Sequence, residues 1–159
     1  MIWLILILSL GKGDKVPSFT GTTVNGEEFV LDSLKGTPVV ILDFWALFCK
    51  PCIKQMEKMK GMPEKYKGKL VYIAINEDGP MSQRRVKSFV KIKKFDFTIL
   101  IDPDRSIGNE YNVSSLPTTI ILDDSLRVRD IHIGFKPGDE KWLEEKIKEY
   151  LGVPEEDKE

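Results

Sequence analysis

Two long apolar runs place the strongest limit on how this chain can fold. Residues 38–46, PVVILDFWA, and residues 69–76, KLVYIAIN, are β-branched and apolar nearly throughout. They lack the alternation of apolar and polar residues that marks a strand with one solvent-exposed face. Such runs are typical of strands buried on both faces of a sheet. They therefore predict a central sheet that is covered on each side.

Helices and further strands surround these runs. In chain order, the further predicted elements are a hairpin turning at Asn25 and Gly26 with one helical turn inside residues 13–34, helices over residues 52–59 and 82–93, a strand over residues 97–101, a short helix near residues 106–111, strands over residues 118–122 and 128–133, and a final helix over residues 139–151. Ser82 is the expected cap of its helix. The order predicts an α/β fold with a central mixed β-sheet flanked by helices.

Composition excludes several classes of protein. The chain has 159 residues, 42% of them hydrophobic and 31% charged, which fits one soluble globular domain. Its 24 basic and 25 acidic residues leave a net charge of −1, so no strong field favours nucleic acid. Two cysteines and one histidine are too few for a closed structural zinc site. We expect no metal, no other cofactor and no nucleic-acid partner.

The two ends differ from the body of the chain. Residues 1–10, MIWLILILSL, are apolar apart from Ser9, but a helix needs about 20 such residues to cross a bilayer. We assign residues 1–12 to an apolar segment, residues 13–152 to the folded domain and residues 153–159 to a polar tail. The apolar segment is the remainder of a signal peptide or membrane anchor, a buried strand or an unstructured tail. The first interpretation places the domain outside the cytoplasm, and a cytoplasmic location is the alternative.

The motif Cys49-Lys50-Pro51-Cys52 carries the chemistry. It falls where the first buried strand gives way to a helix, and free N–H groups at a helix N-terminus stabilise a thiolate at Cys49. Lys50 adds to this effect. The spacing lets Cys52 reach the Cys49 sulfur, so a mixed disulfide at Cys49 can be resolved within the chain. A structural pair or half of a metal site is the alternative, and the missing further ligands disfavour the latter.

A resemblance extends this interpretation to nearly the whole domain. The segment DFWALFCKPC resembles the active-site segment of the thioredoxin superfamily. The stretches YIAIN and FTILIDPDRSIGNEYNVSSLPTTIILD are similar to the membrane-tethered TlpA/ResA-type thiol-disulfide oxidoreductases of bacteria. The match covers residues 14–151 and implies a thioredoxin-like fold with an extra N-terminal β-hairpin and an inserted helix.

The resemblance also implies roles for single residues. Cys49 is the attacking thiol and Cys52 the resolving thiol, while Pro117 is a cis-proline packed against the two sulfurs. The backbone of Leu116 is then free to pair with an incoming peptide. An ordinary trans-proline is the alternative, since only about 5 to 6% of X-Pro bonds in folded proteins are cis.

Asp43 lies in the first buried strand, at the position where thioredoxins hold an acid that accepts the proton of the resolving thiol. A carboxyl group among apolar neighbours should have a raised pKa and serve as a base near neutrality. TlpA/ResA-type proteins often place a glutamate three residues after the second cysteine, where this chain has Gln55. We therefore predict that Asp43 supplies the acid-base function that Gln55 lacks. An exposed aspartate at a strand end is the alternative.

Aromatic and basic residues around the motif complete the predicted site. Trp45 and Phe48 are expected to form an apolar collar around the cysteines, with core packing as the alternative for each. Lys50 and Pro51 join them in the predicted substrate-binding set. His132 has no neighbouring ligands and is expected to be a solvent-facing strand residue.

The predicted function is that of a thiol-disulfide oxidoreductase that reduces protein disulfides through Cys49. The resemblance implies extracytoplasmic substrates, for example apocytochrome c, and a membrane or thioredoxin-type electron donor; we expect a monomer. A peroxiredoxin-like peroxidase is one alternative, but it needs a threonine or serine and a proline where this chain has Ala46 and Leu42. A thioredoxin-fold metallochaperone is the other, and it requires more ligands than the two cysteines and His132.

Overall fold

A computed structural model describes residues 9–154. Most of the apolar N-terminal segment and the end of the polar tail lie outside the described residues, so their interpretation stays a prediction, as does the division into residues 1–12, 13–152 and 153–159. Within residues 9–154, no helix is both long enough and apolar enough to span a membrane.

Seven strands and five α-helices make up the described part of the chain. The strands are β1 Thr20–Thr23, β2 Glu28–Val30, β3 Val39–Trp45, β4 Leu70–Asn76, β5 Thr98–Ile101, β6 Thr118–Leu122 and β7 Val128–Ile133. The helices are α1 Lys50–Met59, α2 Met62–Lys65, α3 Gln83–Lys93, α4 Ser106–Glu110 and α5 Asp139–Leu151, with 3-10 turns at Leu31–Leu34 and Pro80–Ser82.

The strands form one mixed sheet in the order β2-β1-β5-β4-β3-β6-β7. Strand β3 pairs in parallel with β4, and β4 with β5, whereas β6 runs antiparallel to β3 and β7 antiparallel to β6. The leading hairpin of β1 and β2 joins the sheet through β5. This confirms the predicted mixed sheet with an extra N-terminal hairpin.

The centre of the sheet is buried on both faces, as its sequence predicts. All seven residues of β3 are buried, and their alternation divides them between two cores. Val40, Leu42 and Phe44 face one core. Val39, Ile41 and Trp45 face the other, which also holds both cysteines and Met56 of α1. Asp43 shares this second face by alternation, so its carboxyl group points to the side covered by α1.

Two local predictions are wrong. Ser82 stands at the N-cap position of α3, but it ends the 3-10 turn Pro80–Ser82, has φ −95° and ψ −6°, and makes no capping hydrogen bond through its side chain. His132 is not solvent-facing, because α5 packs over this side of the hairpin. Its Nε2 lies 2.8 Å from Oδ2 of Asp139, and its ring stacks on Trp142 at a centroid distance of 4.5 Å.

Candidate active site

The two cysteines lie at the carboxyl end of β3 and form a disulfide. Cys49 is the N-cap residue of α1, and its sulfur accepts a hydrogen bond from the backbone N–H of Cys52 at 3.3 Å. Helix α1 begins at Lys50, earlier than predicted, because Pro51 fits its first turn, where a missing N–H costs no helical hydrogen bond. The helix thus presents its positive end to the Cys49 sulfur.

The two sulfurs differ in access to solvent. Cys49 is 6% exposed, whereas Cys52 is fully buried, with its Sγ 4.0 Å from the carbonyl oxygen of Phe44. A molecule that approaches from outside therefore meets Cys49 first.

A cavity of about 520 Å³ opens beside Cys49. Its lining residues are Ala46, Phe48, Cys49, Pro51, Glu77, Arg105, Ser114, Ser115 and Leu116. Phe48 is 79% exposed, which is unusual for a phenylalanine and is compatible with an apolar contact to another molecule. Three of the predicted substrate-binding residues, Phe48, Pro51 and Leu116, therefore share one cavity with the accessible cysteine.

The loop before β6 forms another wall of the cavity. The peptide bond between Leu116 and Pro117 is cis, which confirms the predicted isomer. Leu116 is half-buried and packs against both cores, while the carbonyl of Pro117 accepts a hydrogen bond from Gly134 at 2.8 Å. The catalytic role of Pro117 stays a prediction.

Trp45 is a core residue, which is the alternative that its sequence position left open. Its side chain is fully buried, packs against Phe89 at a centroid distance of 5.9 Å and shares one core with both cysteines. Strand alternation directs it to this face, whereas Phe48 lies in the loop beyond β3, and a role of Trp45 in substrate binding stays a prediction. Lys50 is exposed next to Cys49.

Asp43 is a buried carboxyl group held by hydrogen bonds. Loss of hydration raises its pKa from 3.8 to about 7, although hydrogen bonds from Tyr72, Gln55 and Thr119 act in the opposite direction. The hydroxyl of Tyr72 donates to Oδ2, and Oγ1 of Thr119 lies 3.3 Å from Oδ1. The predicted burial and raised pKa are present; a role as a proton acceptor is a proposal argued below.

Gln55 connects this carboxyl group to helix α1. Its Nε2 donates to Oγ1 of Thr119 at 2.8 Å, and Thr119 in turn faces Asp43 across the β3–β6 pair. Sequence reasoning assigned Gln55 no function and missed Tyr72 and Thr119. The available signal was the presence of polar groups in runs that are otherwise apolar, because such groups need buried partners.

A second buried carboxylate, Glu77, lines the cavity. Only 4% of its side chain is exposed, and its Oε2 accepts a hydrogen bond from Nε of Arg105 at 3.1 Å. The Nη2 of Arg105 donates to the carbonyl of Val113 at 2.8 Å. The pair therefore ties the end of β4 to the loop that leads to Pro117. Burial raises the pKa of Glu77, while the Arg105 guanidinium opposes that rise.

Gly108 provides the space for Glu77. A Cβ atom at position 108 would lie 2.0 Å from Oε1 of Glu77 and 3.2 Å from its Cδ, and Oε1 has no hydrogen-bond partner among the described residues. We expect Gly108→Ala to displace the carboxylate, break its contact with Arg105 and lower the free energy of unfolding by about 1 to 2 kcal/mol. Chemical denaturation measures the change.

The control for this substitution is a double-mutant cycle. In a Glu77→Ala background the clash is absent, so Gly108→Ala should be neutral or stabilising there, as expected for alanine in a helix. Gly79→Ala, at a position with open space, should change stability little. Equal losses from Gly108→Ala in both backgrounds would contradict the proposed contact.

The fold, the disulfide at the start of α1 and the cis-proline loop together define a thioredoxin-like thiol-disulfide oxidoreductase. A family model described as the AhpC/TSA family matches residues 12–131, and the chain belongs to that family.

Individual relatives are named as thioredoxin-like proteins or thiol-disulfide oxidoreductases. The chain is 38% identical over 128 residues to the thioredoxin-like protein YneN of Bacillus subtilis (strain 168), covering 80% of this chain and 74% of that protein. It is 38% identical over 122 residues to the thiol-disulfide oxidoreductase ResA of Bacillus cereus, covering 77% of this chain and 69% of that protein.

A solved structure agrees with these matches. A crystal structure from Chlorobium tepidum that carries the name thiol:disulfide interchange protein DsbE is 34% identical, with a TM-score of 0.82 over 91% of this chain and 100% of that one. The peroxidase alternative is not favoured, because ResA and DsbE carry thiol-disulfide exchange names and because Ala46 and Leu42 occupy the positions where a peroxidase needs threonine or serine and proline. Within residues 9–154, no group of three or more histidine, cysteine, aspartate or glutamate side chains is arranged to hold a metal.

Proposed function

We propose that the protein reduces disulfide bonds in other proteins, with Cys49 as the attacking thiol and Cys52 as the resolving thiol. The observation that carries this assignment is the difference in exposure, 6% for Cys49 against 0% for Cys52. The N-cap position of Cys49 supports it further, since the helix N-terminus stabilises the thiolate, the form of the sulfur that attacks.

The reaction then has two exchange steps. The Cys49 thiolate attacks one sulfur of the substrate disulfide, forms a mixed disulfide and expels the other sulfur as a thiolate, which takes up a proton. Cys52 loses its proton and attacks Cys49 Sγ, which breaks the mixed disulfide and releases the second substrate thiolate. The substrate gains two electrons, and the protein leaves with a Cys49–Cys52 disulfide.

Asp43 is the proposed acceptor of the Cys52 proton, directly or through one water. Its carboxyl group lies on the sheet face that α1 covers, and the carbonyl of the adjacent residue, Phe44, is 4.0 Å from Cys52 Sγ. With a pKa raised to about 7, this carboxyl group both accepts and releases a proton near neutral pH.

The same carboxyl group supports electron donation as the direction of the reaction. When Asp43 is ionised, its negative charge raises the cost of a thiolate in the reduced protein, and this favours the disulfide form. A couple that favours its disulfide form has a low reduction potential and gives electrons to its partners.

The location and partners extend the proposal. We infer that the protein works outside the cytoplasm, anchored or periplasmic, and the apolar run of residues 1–10 supports this, because such runs occur in signal peptides and membrane anchors. Its substrates are then exported proteins with unwanted disulfides, of which apocytochrome c is one candidate. A membrane or thioredoxin-type protein restores the dithiol, and the working unit is a monomer.

The reduction potential of the Cys49/Cys52 couple tests the proposed direction. We expect a value near the roughly −270 mV of thioredoxin, measured by equilibration with a thiol redox buffer and counting of free thiols. A value near about −120 mV would reverse the direction and make the protein a disulfide donor. Peroxide consumption by the reduced protein, measured beside it, should be no faster than that of a small dithiol.

A further inference from the structure

Helix α3 and the residue that follows it carry charges of one sign only. The basic residues of the segment from Gln83 to Lys94 are Arg84, Arg85, Lys87, Lys91, Lys93 and Lys94, and it contains no acidic residue. All of them are exposed except Lys93, which is half-buried and paired with Glu57 at 2.5 Å. Because basic and acidic residues nearly balance over the whole chain, this helix is a local excess of positive charge.

The positions of the first basic residues do not favour the helix. Arg84 and Arg85 lie in the first turn of α3, where no acidic residue accompanies them and where the helix dipole favours negative charge. Lys87 follows Arg84 by three positions and precedes Lys91 by four, so like charges are neighbours on the helix surface. Lys91 and Lys93 suit the last turn of the helix, but helix stability does not account for Arg84 and Arg85 in the first turn.

The same helix borders a groove next to the active site. The groove has a volume of about 420 Å³, and its lining residues are Leu47, Arg84, Arg85, Ser88, Phe89 and Ile92. Leu47 lies two positions before Cys49, and Ile92 is 76% exposed. The groove therefore combines an apolar floor with two guanidinium groups, a composition typical of protein interfaces.

Hydrogen bonds couple the groove to the loop that holds Cys49. The backbone N–H of Leu47 donates to Oδ2 of Asp78 at 2.8 Å, and Nε2 of Gln83 donates to the carbonyl of Asp78 at 2.6 Å. Asp78 is buried, and its carboxylate also accepts a hydrogen bond from the side-chain amide of Asn76, so this carboxylate is not exposed on the surface of the groove. The first turn of α3 thus has a fixed position relative to the reactive cysteine.

We propose that this groove, the Leu47–Ile92 groove, binds an acidic segment of the redox partner whose disulfide Cys49 attacks. Aspartate or glutamate side chains beside the substrate cysteine pair with Arg84 and Arg85, and an apolar side chain of the same segment contacts Phe89 and Ile92. The inference rests on the proposed function and names its substrate class. Complementary charge speeds the encounter and excludes basic partners.

A polypeptide fits this surface better than an anionic membrane does. The groove reaches Leu47, two positions before Cys49, so a segment held in it lies close to the reactive sulfur. A polypeptide segment fills the groove and leaves its own disulfide at the cavity beside Cys49.

Three synthetic peptides test the proposal with the full chain. Each contains the same intramolecular disulfide, flanked by aspartates, serines or lysines. At low ionic strength we expect kcat/KM for the aspartate peptide to exceed that for the serine peptide about tenfold, and 0.5 M salt should remove most of this advantage. The variant Arg84→Glu/Arg85→Glu should invert the preference to the lysine peptide.

A matched variant separates docking from net charge. Lys67→Glu/Lys69→Glu makes the same change in charge just before β4, at the opposite end of the sheet from Cys49, and should keep the wild-type preference. Arg84→Glu/Arg85→Glu should also retain or raise the melting temperature, because negative charge suits the first turn of a helix. A rate that falls while stability is kept marks a recognition role.

Each result has one meaning for the proposal. Equal reduction of the three peptides, or a preference that Lys67→Glu/Lys69→Glu alters as much as Arg84→Glu/Arg85→Glu does, would overturn the docking site. If wild type reduces none of them, the proposed function fails, and fluorescence anisotropy of the labelled aspartate peptide on the oxidised protein still decides whether the groove binds it. Capture of the protein by anionic phosphatidylglycerol vesicles, lost in Arg84→Glu/Arg85→Glu, with no charge preference among peptides, would assign α3 to a membrane instead.

Discussion

Cys52→Ser is expected to turn the protein from a reductant into a trap for its substrates. Cys49 keeps its place at the N-terminus of α1 and still attacks, but nothing within the chain resolves the mixed disulfide. Turnover should fall about a thousandfold or more, because the attack by Cys52 benefits from the high effective concentration of a group held in place. Reduction of insulin and mass spectrometry of the covalent adduct measure both effects.

Cys49→Ser is the matched control, because both variants lose the same disulfide. It should be equally inactive but form no adduct, since Cys52 is fully buried. Free-thiol labelling of the folded variants adds an independent readout: Cys49 in the Cys52→Ser protein should react much faster than Cys52 in the Cys49→Ser protein. Adducts formed by Cys49→Ser and not by Cys52→Ser would mean that the assignment of the two roles is reversed.

The sequence predicts much of this fold because its decisive patterns are local. The apolar run of β3 and the helical spacing in α1 each lie within a few residues, and the position of the cysteines follows from the boundary between those two elements. The cis bond before Pro117 came from a resemblance, since no local pattern distinguishes it from a trans bond.

Local sequence patterns do not predict contacts between residues that are far apart in the chain. Arg105 reaches Glu77 across 28 positions, and Tyr72 reaches Asp43 across 29, in both cases because the sheet brings separate strands and loops together. His132 differs from its prediction for the same reason: its neighbours in sequence do not show that α5 covers it. A polar residue within an apolar run does indicate such a contact, because a buried polar side chain needs a hydrogen-bond partner.

Asp43→Asn is expected to stabilise the folded protein above neutral pH, and its effect on the free energy of unfolding should become more favourable as the pH rises from 4 to 8. In the folded protein the pKa of Asp43 is raised from 3.8 to about 7, so the folded state holds a proton that the unfolded state releases between those values. Below about pH 4 Asp43 is protonated in both the folded and the unfolded state, so its ionisation does not lower the free energy of unfolding. As the pH rises toward 7 the unfolded state gains stability relative to the folded one, and the full cost, up to about 4 kcal/mol, is present above pH 7.

The amide removes this cost but fits the site less well. Tyr72 and Thr119 both hydrogen-bond to the carboxylate oxygens, and the NH₂ group of asparagine offers one of them a donor instead of an acceptor. With about 1 to 2 kcal/mol lost to that mismatch at every pH, a net gain of about 2 to 3 kcal/mol remains at pH 8, whereas at pH 4 the variant should be about 1 to 2 kcal/mol less stable than wild type. Urea unfolding of both proteins from pH 4 to pH 8 gives the difference directly.

The exposed Asp124→Asn variant controls for the loss of one negative charge and should show no such pH-dependent gain. If Asp43→Asn and wild type differ by a constant amount at every pH, the carboxyl group of Asp43 ionises in the folded protein as it does in water, and burial does not perturb it. The proton-acceptor role is tested separately, because only that role, and not burial, predicts slower resolution of the mixed disulfide in Asp43→Asn at pH 7. A variant that is more stable but reduces disulfides at the wild-type rate, with normal thiol titration, would leave Asp43 a buried charge without a part in the exchange.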